Sequence, residues 1–150
     1  MLNILFVCTG NTCRSKMAEQ LAKHIIKKRG LESAVKVSSA GTNIALETKT
    51  TPYAKLALKT LGVQKAMASK AKSVDSLKLS KFNYIICMTE NHKAYILSKF
   101  SGLRVGTFDD HIGGGDIMDP YGQDFKTYKQ TATELNEKIE KLLDKLITIF

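Results

Sequence analysis

The strongest constraint on this chain is a strand that must end in a tight loop and restart at once as a helix. Ile4-Leu5-Phe6-Val7 is an apolar run, and Ala18, Leu21, Ala22, Ile25 and Ile26 recur at helical spacing. Between them stands Cys8-Thr9-Gly10-Asn11-Thr12-Cys13-Arg14-Ser15. A strand–loop–helix junction collects backbone N–H groups where the helix dipole favours negative charge, so it is an anion site. A cysteine opens the loop and an arginine closes it, with five residues between. The field that holds an anion also favours the thiolate form of a cysteine. The planar fork of Arg14 suits two oxygens of one phosphoryl group. Nucleophile, cradle and fork together point to phosphoryl transfer.

Within the loop, Gly10 permits close backbone approach to an anion. Asn11 tolerates a left-handed backbone and can tie the loop down through its side chain. Ser15 can donate to the Cys8 sulfur or cap the helix. Thiolate attack on phosphorus expels a group that needs a proton, so a carboxylic acid must stand nearby. Asp119 is the leading candidate, because Pro120 restricts it to an extended backbone. Asp109, Asp110 and Asp116 compete with it, and spacing alone does not separate them. Cys87 sits in mid-strand and reads as a small buried hydrophobe. Cys13, in the same loop as Cys8, raises the expectation of a redox-sensitive Cys8–Cys13 pair.

The rest of the chain alternates strand-like and helical patterns, the signature of a parallel α/β sheet. Strands are expected at Leu2–Val7, Val35–Ser38, Tyr84–Met88 and Arg104–Phe108. The helix after the loop ends at Gly30. Thr51-Pro52 starts a second, with Ala54, Ala57, Leu58 and Leu61 as its apolar stripe and Gly62 as its stop. Residues 67–81 read as a loop with a short helix near Asp75–Leu79. Thr89 caps a helix carrying Tyr95, Ile96 and Phe100. Residues 109–122, with Gly113-Gly114-Gly115, form a long loop of the kind that carries function. The last helix spans about Asp124–Ile147. Its row of Tyr128, Ala132, Leu135, Ile139, Leu142 and Leu146 is expected to pack on the sheet rather than on another chain. One domain over residues 1–150 accommodates all of this.

A hydrophobic share of 43% suits one ordinary folded domain. No apolar run is long enough to span a membrane, and no basic region precedes the first one, so a cytoplasmic location is expected. Three cysteines and the scattered His24, His92 and His111 offer no metal-ligand spacing. No metal or cofactor is expected. The net charge of +9 is carried mainly by lysine and reads as a solubilising surface that can also steer anionic substrates. No nucleic-acid module accompanies it.

These residues carry a resemblance. Cys8 to Ser15, Met17-Ala18-Glu19, Ser39-Ala40-Gly41 and Asp119-Pro120-Tyr121-Gly122 stand in the order found in the low-molecular-weight protein tyrosine phosphatase family. The resemblance covers the whole chain. It implies a flavodoxin-like three-layer sandwich on a four-stranded parallel sheet. It implies a cysteinyl-phosphate at Cys8, Arg14 as phosphate clamp, and Asp119 as acid in the first step and base in the second. Thr9, Gly10, Asn11, Thr12, Cys13, Ser15 and Tyr121 would then line the phosphate or substrate site, and Ser39 would brace the loop through Asn11. The chain is most similar to the bacterial protein-arginine phosphatase branch. Thr12 stands where tyrosine-specific relatives usually carry isoleucine or leucine, and Tyr128-Lys129-Gln130-Thr131 with Glu134-Leu135 is similar too. Lys16 departs from the family's usual proline.

The resemblance thus implies a monomeric phosphatase acting on phosphorylated proteins, phosphoarginine first and phosphotyrosine second. Arsenate reduction needs relay cysteines downstream, and only Cys87 is there. A non-catalytic phosphate-binding module has no need of a nucleophile.

Overall fold

The computed structural model describes residues 1–44, 51–63 and 70–149. Four strands, β1 (Leu2–Cys8), β2 (Val35–Gly41), β3 (Tyr84–Cys87) and β4 (Val105–Thr107), form one parallel sheet in the order β2-β1-β3-β4. β1 is buried at six positions and half-buried at Asn3, because both faces of the sheet are covered and no residue alternation toward solvent is needed. Its register sets Cys8 beside Gly41 and Val7 beside Cys87. The chain leaves β1 toward β2 on one side, and β3 lies on the other. Such a switch point opens a crevice at the carboxyl ends of the strands. The Cys8 loop stands there.

The helices are α1 (Arg14–Lys28), α2 (Pro52–Thr60), α3 (Glu90–Lys99), α4 (Phe108–Ile112) and α5 (Phe125–Ile149). One face of the sheet buries Leu2, Ile4, Phe6 and Ile86 with the apolar rows of α1, α2 and α5. The Phe6 and Phe108 rings stack there, 6.0 Å apart and 9° from parallel. The other face packs Leu5, Val7, Ile85 and Cys87 against Ile96 of α3 and against Val74 and Leu79. This is a three-layer, flavodoxin-like sandwich. None of the described helices is long and apolar enough to cross a membrane.

Several boundaries differ from the sequence reading. Phe108 does not end β4 but begins α4. Thr107 caps that helix: its Oγ1 accepts the Asp110 N–H, and Asp110 Oδ2 accepts the Thr107 N–H, at 3.0 and 2.9 Å. A five-residue helix is too short to show a period. In place of one helix near Asp75–Leu79 there are two single 3-10 turns, Val74–Ser76 and Leu79–Lys81. Residues 67–69 of that stretch lie outside the described residues. The expected row of α5 is buried throughout, and it lies chiefly against α1 and α2 within the core on that sheet face.

Candidate active site

Loop geometry begins with Asn11, which holds φ 55°, a left-handed conformation that asparagine tolerates better than most residues. Its carbonyl Oδ1 accepts the backbone N–H of Lys72 at 2.9 Å, which fixes the amide's orientation. Nδ2 therefore donates, to Ser15 Oγ at 2.7 Å and Ser39 Oγ at 3.0 Å. Ser39 in turn donates to Glu19 Oε1, whose other oxygen meets Lys23 Nζ at 2.6 Å. Ser15 Oγ also lies 2.9 Å from Cys8 Sγ, placed to give its own proton to a thiolate there. The Asn11 N–H also points at that sulfur, at 3.3 Å. A Cys8 thiolate would thus receive two donors from a buried chain of hydrogen bonds.

Ser39, expected to brace Asn11, bonds it directly. Ser15 chooses the sulfur over the helix cap; the N-cap position is Cys13, with no side-chain cap bond. Glycine is required at Gly41, where a Cβ would collide with the Thr9 carbonyl oxygen. A Cβ at Gly10 would meet only Thr12 Oγ1, at 3.7 Å, so packing within the protein does not demand glycine there.

Arg14 is buried. Its Nη1 donates to the Ile117 carbonyl at 3.0 Å, and its Nη2 lies 3.6 Å from Asp119 Oδ2. Ile117 itself is laced to the end of β3 by its N–H on the Met88 carbonyl, 2.8 Å. The carboxylate loop is therefore anchored to the sheet immediately before Asp119. Asp119 is half exposed and accepts the Tyr121 N–H at 3.0 Å, while the Tyr121 side chain stands out in solvent. The three competing aspartates are engaged elsewhere. Asp109 accepts from Gly115 N, Asp110 from Thr107 N and Lys93, and Asp116 from Glu90 N. Among these carboxylates Asp119 is the one that reaches Arg14.

A family model described as low molecular weight phosphotyrosine protein phosphatase matches residues 3–148. The chain belongs to this family. It is 38% identical over 149 residues to the protein-arginine-phosphatase of Bacillus subtilis (strain 168), covering 97% of each chain. It superposes on the low molecular weight protein tyrosine phosphatase of T. tengcongensis with a TM-score of 0.90 at 32% identity, covering 97% of this chain and 99% of that one. A third relative is YwlE arginine phosphatase, solved as a cysteine-to-serine mutant with a phosphorylated active-site serine. There the TM-score is 0.87 at 35% identity, with 97% of this chain and 95% of that one covered.

Two cysteines of this family member are turned away from the anion cradle. Cys13 Sγ faces Tyr128 Oη at 3.4 Å and Thr51 Oγ1 at 3.6 Å, so only its backbone can face a phosphate. Thr51, expected as a helix cap, spends its hydroxyl on that thiol instead. Cys87 lies fully buried in β3, and burial pushes its pKa up to about 12, which keeps it a neutral thiol.

Sequence reasoning gave no site role to three residues, although Lys16 stood out as a departure from the family's usual proline. Glu19 is the buried carboxylate at the far end of the loop's hydrogen-bond chain; it was visible only as part of a motif. Lys16 is fully buried in the first turn of α1. Burial holds its pKa below the ordinary lysine value, against the opposing pull of Glu19. His92, taken as a scattered histidine, meets the loop directly: its Nε2 is 2.8 Å from Thr9 Oγ1. The signal was available in Thr89 and His92, an N-cap and the residue three positions on, whose side chains fold back toward each other.

Proposed function

We propose that this chain is a protein-arginine phosphatase that hydrolyses phosphoarginine through a cysteinyl-phosphate. The observation that carries the chemistry is the convergence of Cys8 Sγ, the Arg14 fork and the Asp119 carboxyl at one helix N-terminus. In the first step the Cys8 thiolate attacks phosphorus as the P–N bond breaks. The Asp119 carboxylic acid gives its proton to the departing guanidine nitrogen. Arg14 and the loop N–H groups hold the equatorial oxygens as charge develops. In the second step the Asp119 carboxylate takes a proton from water, the water oxygen attacks phosphorus, and the S–P bond breaks. The Ser15 hydroxyl and Asn11 N–H that point at Cys8 Sγ stabilise sulfur both as nucleophile and as leaving group. The phosphorylated serine in the mutant YwlE relative supports a covalent intermediate at the loop's first position.

Preference for phosphoarginine is supported by the identity to the Bacillus subtilis enzyme and by Thr12 in the cradle. Phosphotyrosine is the second reading, favoured by the family's description and by the T. tengcongensis relative. The substrates are phosphorylated proteins, met by a monomer. Side-by-side kcat/KM on free phosphoarginine, phosphoarginyl protein and phosphotyrosyl peptide tests the reading. A higher value for phosphotyrosine overturns the arginine assignment. Cys8→Ser is expected to lose turnover and still bind phosphate; turnover near the parent rate would remove Cys8 as nucleophile.

A further inference from the structure

The N-terminal turn of α3 touches both halves of the site. Glu90 N–H holds Asp116 of the carboxylate loop at 3.0 Å, and His92 reaches Thr9 of the cysteine loop. His92 is buried, although Thr9 is exposed. The ring's other nitrogen, Nδ1, faces the Thr89 N–H at 3.2 Å and Thr89 Oγ1 at 2.9 Å. A backbone N–H can only donate, so Nδ1 accepts. Thr89 Oγ1 accepts the His92 N–H at 3.3 Å and stands beside the same ring nitrogen. The neutral ring then carries its hydrogen on Nε2 and donates it to Thr9 Oγ1.

This order of donors has a consequence for Thr9. With one lone pair taken by His92, the Thr9 hydroxyl keeps its own proton uncommitted. Among the described residues, His92 is the one hydrogen-bond partner of that hydroxyl. The Thr9 carbonyl is separately fixed by the Asn43 N–H at 3.0 Å, so the residue itself is held.

We propose that His92 is a positioning residue that locks the Thr9 hydroxyl as an outward donor to an oxygen of the bound phosphoryl group. The inference rests on the phosphatase reading of the Cys8 site. Burial and the neighbouring Arg14 both hold the His92 pKa down, in keeping with a neutral ring. Thr9 lies directly after the nucleophile. Its hydroxyl therefore adds a side-chain donor to a cradle otherwise built of backbone N–H groups and one guanidinium.

The test is a double-mutant cycle on Thr9→Val and His92→Ala, read as competitive inhibition by inorganic phosphate and as kcat/KM on an aryl phosphate. Thr9→Val keeps the shape and removes the donor. Each single variant is expected to weaken phosphate inhibition by roughly ten- to hundred-fold, the range for a hydrogen bond to a charged group. His92→Ala is expected to add little in the Thr9→Val background. His92→Gln, which can accept from Thr89 and donate to Thr9, should recover much of the loss, an outcome that a purely structural cap would not give. Unchanged phosphate inhibition in Thr9→Val overturns the proposal. So does a His92→Ala loss of equal size in both backgrounds. If His92→Ala does not fold, Thr9→Val and His92→Gln decide the matter. Cys8→Ser run in parallel separates the two failures: if it turns over, the phosphatase reading falls, whereas inert Cys8→Ser beside an unaffected Thr9→Val removes only the role of His92.

Discussion

Asp119 Oδ2 stands 3.6 Å from Arg14 Nη2 while Arg14 Nη1 remains bonded to the Ile117 carbonyl. One guanidinium thus anchors the base of the carboxylate loop and faces its tip. A phosphoryl group bound by Arg14 would lie beside Asp119, within reach of its proton. The half-exposed position of Asp119 lets a leaving group and then a water approach it.

Asp119→Asn should therefore lower kcat by roughly 10²- to 10⁴-fold, most for substrates with poor leaving groups. The matching limb of the pH–rate profile should flatten. Asp116→Asn and Asp109→Asn should leave that limb in place, since their carboxylates bond Glu90 N and Gly115 N. Steady-state kinetics on a series of aryl phosphates of graded leaving-group pKa checks this; an altered limb in Asp116→Asn alone would move the assignment.

Much of this site was legible in the chain because its chemistry is local. Cys8 to Ser15 occupies eight consecutive residues, and strand, loop and helix signals bracket it. What was not legible was carried by contacts distant in sequence. Thr9 and His92 are 83 residues apart, and Cys13 and Tyr128 are 115 apart. Short elements failed for a different reason. α4 and the two 3-10 turns have no room for a hydrophobic period; capping at Thr107 and Ser73 marks α4 and the first turn, while Leu79–Lys81 has no side-chain cap bond. All four aspartates accept a backbone N–H, so the choice among them needed the contact of Asp119 with Arg14, which is distant in sequence.

Acid stability should report on His92. Its pKa is lowered from 6.5 to about 4 by burial first and Arg14 second, with Asp116 and Asp119 pulling the other way. Between those values the unfolded chain binds a proton that the folded chain refuses, so stability falls as pH drops from 6.5 toward 4. Denaturant unfolding at a series of pH values should show that slope in the parent. The slope should be shallower by one proton in His92→Gln; equal slopes would contradict a neutral buried ring.

Redox behaviour depends on a rotation. Cys8 Sγ is directed to Ser15, whereas Cys13 Sγ is directed to Tyr128 and Thr51. A Cys8–Cys13 disulfide thus requires Cys13 to leave both hydroxyls. Mild peroxide first oxidises the Cys8 thiolate to a sulfenic acid, and the Cys13 thiol then displaces water to close the bridge. Tyr128→Phe removes one of the two holders and should speed closure. Peptide mapping after timed peroxide exposure checks this. Cys8 sulfonic acid without a bridge, in parent and variant alike, would mean that Cys13 stays where its hydroxyl partners hold it.

Thr12 is the residue on which the proposed preference for phosphoarginine is tested. Its backbone carbonyl accepts the Thr51 N–H at 3.2 Å, and its Oγ1 is only loosely engaged, 3.8 Å from Cys13 Sγ. The side chain is half-buried, so the residue is fixed by its backbone while its hydroxyl remains available to a substrate. Isoleucine keeps the β-branch and its backbone preference, removes the hydroxyl and adds apolar bulk. The Thr51 N–H bond survives that change because it uses main-chain atoms. Thr12→Ile should therefore fold normally, lose phosphoarginine activity and gain phosphotyrosine activity. One contact of this kind shifts a substrate ratio by roughly ten- to two-hundred-fold. The ratio of kcat/KM for the two substrates is the measurement. A fall of equal size on both would make Thr12 a structural member of the loop and would remove the residue-level support for phosphoarginine.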